Sequence, residues 1–213
     1  MNLTTTYLRY AYWMVLATSV LYGLYQVYRL GWRKQHVITF YLLAVACTEA
    51  LTFSFGKSTK HDVSIIYNLA LPIHVLLLGI SFYLEWKEKL HQRIHFFGTV
   101  LILTSILLNL CVNHLQHFIA PNGVLLSIYF VFVSLHWFFV QISQPDEESI
   151  TRKMFFWICT GLLSWSIIFI FRLLLKDYLF SIDPGFLDFF QVLISSVNVL
   201  VYLFFIKSLQ CLR

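Results

Sequence analysis

The chain has 213 residues, of which 59% are hydrophobic and only 12% charged. An ordinary soluble domain is about 45–50% apolar and about one quarter charged, and a fold of this size leaves too much chain at its surface to hide the excess. Aromatic side chains make up 18%, with 21 Phe and 12 Tyr, so a disordered chain is excluded as well; the expectation is an all-α polytopic membrane protein.

A helix needs about 20 mostly apolar residues to cross a bilayer. By that measure the sequence divides into seven transmembrane helices, forming one domain over residues 1–213. The first runs from Tyr7 to Tyr28 and ends at Gly31-Trp32-Arg33-Lys34. The second, His36 to Gly56, carries Cys47, Thr48 and Glu49. The third, Val63 to Trp86, contains Asn68, Pro72 and His74. The fourth, Ile94 to His114, carries Asn109. Pro121-Asn122-Gly123 reads as a turn ahead of the fifth span, Gly123 to Ser143, which holds His136. Acids in Gln144-Pro145-Asp146-Glu147-Glu148 precede the sixth, Met154 to Lys176, with Arg172 near its far end. Asp183-Pro184-Gly185 is the last turn signal, before the seventh span, Gly185 to Lys207, with Asp188, Gln191 and Asn198. Tyr and Trp gather near span ends, as in an interfacial belt. The runs are continuous and lack the alternation of barrel strands.

Lys and Arg are unequally shared between the two sides. Arg29, Arg33, Lys34, Lys87, Lys89, Arg93, Arg152, Lys153, Lys207 and Arg213 fall on one side, and Arg9, Lys57, Lys60, Arg172 and Lys176 on the other. The positive-inside rule then places the N-terminus outside and the C-terminus in the cytoplasm, at the cell inner membrane. This bias accounts for the net charge of +5, which is therefore not read as nucleic-acid binding. No signal-peptide pattern is seen. Three of the four cysteines, Cys47, Cys111 and Cys159, lie within spans, and Cys211 lies at the cytoplasmic end; none is placed for an extracellular disulfide.

Ionisable and strongly polar side chains inside a bilayer are costly, and they either face the bundle interior or mark function. At about 1.5 Å of rise per residue, Glu49, Asn68, Asn109, Arg172, Asp188 and Gln191 all fall in the outer half of their spans. Arg172 is the natural counter-charge for Glu49 or Asp188, because a lone ion there would be expensive. Thr48, His74, His136, Ser164, Ser166, Ser195, Ser196 and Asn198 lie nearer the midplane. Together they predict a polar cavity that opens outward over a floor at His74. The competing reading is interhelical hydrogen bonding that only holds helices together. Pro72 removes a backbone donor two residues before His74 and predicts a kink; Pro72 and His136 are the candidate gate.

Metal and cofactor chemistry find little support. His91 and His95 are four apart and His114 and His117 three apart, but neither pair has a third ligand at motif spacing. No Gly-x-Ser-x-Gly, His-Glu-x-x-His or phosphate loop occurs. A retinal Schiff base needs a lysine deep in the last span, which has only Lys207 at its end. No cofactor and no catalytic residue is expected.

Glu49 in "CTEALTFSFG", Asn68 to Tyr83 in "YNLALPIHVLLLGISFY", and Asn198, Tyr202 and Cys211 in "VNVLVYLFFIKSLQC" resemble small seven-span membrane proteins of Bacteroidota. That resemblance implies the seven-span topology and a link to signalling, through genes that sit beside sensor kinases; it carries over no functional residue. The first expectation is accordingly a membrane sensor or signalling accessory, with a small or amphiphilic ligand in the outward cavity and a cytoplasmic or membrane partner such as a sensor kinase, or a second copy of the chain. A small-solute or proton-coupled transporter or channel is the alternative, with Glu49, His74 and Arg172 as its sites. An intramembrane lipid-acting enzyme is the third, with His74 or His136 as base.

Overall fold

In the computed structural model the described residues are 3–32, 36–59, 63–113, 117–144, 147–182 and 184–212, with side chains omitted for 3–5, 57–59, 176–182 and 184–188. Among them the chain forms seven α-helices: α1 (Leu3–Leu30), α2 (Val37–Thr59), α3 (Ser64–Glu85), α4 (Lys89–Val112), α5 (Ala120–Ser143), α6 (Met154–Ile182) and α7 (Pro184–Gln210). A 3-10 turn at Ile150–Arg152 leads into α6.

Six of the seven, α2 to α7, contain stretches long and apolar enough to cross a membrane. α1 matches them in length, at 28 residues, but its six tyrosines, together with Arg9, Gln26 and Arg29, dilute its hydropathy.

Several boundaries differ from the sequence expectation for local reasons. α4 starts at Lys89, five residues before Ile94, because the link from α3 is only Trp86-Lys87-Glu88. The Gln92 side-chain Nε2 donates to the Trp86 carbonyl across that link at 2.7 Å. Pro121-Asn122-Gly123 is not a turn before α5 but lies within its first turn. Proline is accepted there because the first N–H groups of a helix have no partner inside it. Pro184 opens α7 in the same way. α1 ends where Gly31 adopts φ 70°, a left-handed conformation that glycine takes without a Cβ clash.

The chain divides into two compact units: Met1–Gln26 with Phe130–Arg213, and Val27–Tyr129. In the first unit α6 packs along α7. Trp157 meets Phe204 at 5.7 Å between ring centroids, and Gly161 lies beside Phe204 and Val201. α1 joins α7 through Tyr12 and Tyr202. α5 joins α6 through Phe130 with Trp165 and through Phe138 with Phe156. Trp137, Ile158, Leu162, Phe205 and Leu209 form its buried interior. A Cβ at Gly161 would sit 3.6 Å from its nearest neighbours, ordinary van der Waals contact. Gly161→Ala should therefore change stability by less than about 1 kcal/mol, measured by thermal unfolding in detergent.

In the second unit α3 packs on both α2 and α4. Along the α2–α3 seam Glu49 meets Tyr67 and Tyr41 meets His74, so the two helices run antiparallel. Between those pairs lies an apolar layer that includes Val45 and Leu71. On the other side of α3, Gly79 lies against Thr99 of α4 and Tyr129 of α5. His95 of α4 stacks on both Phe82 and Trp86, with centroids 5.6 and 5.4 Å away.

Candidate functional site

Most hydroxyl side chains in the helices spend their hydrogen on their own backbone. Thr48, Ser81, Ser105, Ser127, Thr160, Ser164, Ser195 and Ser196 each donate to the carbonyl four residues earlier, at 2.8–2.9 Å. Thr52 does the same toward Glu49, three residues back. These side chains cost little inside a membrane because the helix itself supplies their acceptor.

Several side chains that do reach other elements gather at one end of the second unit. Asn68, fully buried on α3, donates from Nδ2 to the His117 carbonyl at 2.8 Å. Its Oδ1 accepts from the Ile119 N–H at 3.2 Å. One amide thus takes both a donor and an acceptor from the segment between α4 and α5. Asn122, whose N–H bonds to the Ile119 carbonyl, accepts at Oδ1 from Asn109 Nδ2 at 2.8 Å. Beside Asn68, the Tyr67 hydroxyl donates to Glu49 Oε1 on α2 at 3.5 Å. A polar belt therefore runs from α2 through α3 and the α4–α5 connection to α4, and it brings together Glu49, Asn68 and Asn109.

His74 lies two turns further along α3. Its ring is met edge-on by Tyr41, with centroids 5.7 Å apart. Its Nε2 is shut off from solvent and has no hydrogen-bond partner among the described residues. Leu42, Val45, Leu71, Val75 and Leu78 are the buried apolar residues of this part of the seam. Pro72, within α3, has no N–H for the Asn68 carbonyl one turn before it. The helix thus lacks one backbone hydrogen bond between the Asn68 amide and the His74 ring.

The remaining expected site residues belong to the first unit. Arg172 is half-buried on α6, and Gln191 is exposed on α7. His136 is half-buried on α5 and stacks on Phe132 at 6.1 Å. The side chain of Asp188 lies outside the described residues, and with it the expected pairing to Arg172. His91 sits 3.4 Å from Glu88 Oε2 and packs on Trp86. Among the described residues no three His, Cys, Asp or Glu side chains gather as a metal site would require.

Tyr67 and Asn122 complete the belt and escaped the sequence reading. Tyr67 could have been found from its place next to Asn68 at the depth of Glu49. Asn122 was hidden by the Pro-Asn-Gly turn signal. No protein-family model, no curated protein and no solved structure matches this chain.

Proposed function

We propose that this chain is an integral membrane sensor or signalling accessory protein whose responsive element is the α2–α3 seam. In this reading all seven helices span the inner membrane, with the N-terminus outside, as the Lys and Arg distribution favours. The polar belt of Glu49, Tyr67, Asn68 and Asn109 then lies toward the outer face, with His74 below it. The observation that carries the reading is His74: a buried imidazole nitrogen with no hydrogen-bond partner, two residues past a proline. A small ligand that supplies that partner would bind one arrangement of α3 better than another and shift its population. The likeness to seven-span proteins of Bacteroidota supports a partner such as a sensor kinase as the output.

Two measurements test it. A deletion strain should lose a membrane stress response that the wild-type gene restores and a His74→Phe gene does not. Unchanged responses in the deletion strain, together with no copurifying partner, would count against sensing. Proteoliposomes loaded with a pH-sensitive dye should take up protons no faster than protein-free liposomes under an imposed gradient. Uptake that Glu49→Gln abolishes would replace sensing with proton-coupled transport.

A further inference from the structure

α4 is one of the two least covered of the six apolar helices, and its uncovered face has an order of its own. Lys89, Arg93, Phe96, Phe97, Val100 and Leu101 are all exposed, and at 100° per residue they fall on one side of the helix. The opposite side carries the buried His95, Thr99 and Ile106. The exposed face is thus split by chemistry: two cations at the start of the helix, then an apolar stripe in which Phe97 and Leu101 are each 67% exposed.

Nothing acidic on α4 offsets those cations. Its first turn holds no acidic residue. The adjacent Glu88, itself exposed, meets His91 at 3.4 Å. Lys87, also exposed, adds a third cation at the tip of the α3–α4 hairpin. Residues four apart on a helix are neighbours, about 6 Å between Cβ atoms, a spacing that lets Lys89 and Arg93 grip the oxygens of one phosphodiester. An anion held there would need an apolar body directly below it to cover Phe96, Phe97, Val100 and Leu101.

We infer that this face binds an anionic phospholipid, with the headgroup phosphate between Lys89 and Arg93 and an acyl chain along the apolar stripe. Charge complementarity selects the anionic lipid over a zwitterionic one, whose ammonium would meet the two cations. The stripe selects a lipid over a free anion. The inference does not depend on the sensor reading, since it concerns a different face of the second unit.

The test uses the full chain in detergent, with lipid retention read by native mass spectrometry from an equimolar mixture of phosphatidylglycerol and phosphatidylcholine of the same chains. The wild type should retain phosphatidylglycerol about tenfold in excess. The Lys89→Gln/Arg93→Gln variant should lose that excess, about threefold for each cation removed. Arg152→Gln, at an exposed cation in the first unit, should leave it unchanged and shows whether the preference follows place or total charge. Glycerol phosphate at millimolar concentration should not displace the lipid. Equal retention of the two lipids by the wild type, an excess that survives the double substitution, or displacement by glycerol phosphate would each overturn the inference.

Discussion

Gly79→Ala should be among the most damaging single-methyl additions in this protein, lowering stability by about 1–3 kcal/mol as overpacking does. A Cβ at residue 79 would overlap the γ-methyl of Thr99, approach its hydroxyl to 2.7 Å and come within 3.0 Å of the Tyr129 hydroxyl. Thr99 has little freedom to move aside. Its hydroxyl donates to the His95 carbonyl at 2.7 Å and shares a hydrogen bond with Tyr129 at 2.8 Å, and a β-branched side chain in a helix has few rotamers. Backbone separation between α3 and α4 is the remaining outlet, and it would loosen the His95 stack on Phe82 and Trp86. The expected sign opposes helix propensity, which favours alanine over glycine. Thermal unfolding in detergent measures the loss, and a double-mutant cycle locates it. Thr99→Ala should cost less in the Gly79→Ala background than in the wild type. Additive costs would show that the clash is not what destabilises.

Asn68→Ala should cost a comparable amount for a different reason. The substitution strands the N–H of Ile119, a buried residue, and an unsatisfied buried donor costs about 1–3 kcal/mol. It also releases the His117 carbonyl, so the α4–α5 connection loses these two bonds to α3. Asn113→Ala is the control, because among the described residues that exposed amide bonds only to the Asn109 carbonyl of its own helix and should be close to silent. Hydrogen exchange adds a spatial readout. Amides around Ile119 should exchange faster in Asn68→Ala, whereas those of α6 and α7, packed in the other unit, should not change. Protection at Ile119 that equals the wild type's would mean that the amide clamp contributes nothing.

The two substitutions touch the same side of α3 about three turns apart, and together they describe how that helix is held. At one end it is tied by hydrogen bonds to a main-chain segment; at the other it is held by close approach at a glycine. Pro72 and His74 lie between these anchors. If the seam responds to a ligand, the backbone hydrogen bond missing at Pro72 gives α3 a place to bend.

The composition and the spacing of apolar runs were enough to specify a helical membrane protein and the approximate place of every helix. This follows because a bilayer demands long apolar segments with internally satisfied backbones, a signal written in consecutive residues. Glycine at position 31 and proline at position 184 mark helix limits for equally local reasons. That Glu49, Asn68 and Asn109 lie toward the same end of their helices was also legible, since it needs only the rise per residue. Their partners were not. Asn68 bonds to main-chain atoms of residues 117 and 119, and a backbone carbonyl or N–H is the same whatever side chain it carries. Thr48, Ser164, Ser195 and Ser196, expected near the midplane, bond to their own helices, a choice made by rotamer and packing. The role of Gly79 is invisible in the sequence because it consists of space, and only the approach of α4 and α5 to α3 gives that space its purpose.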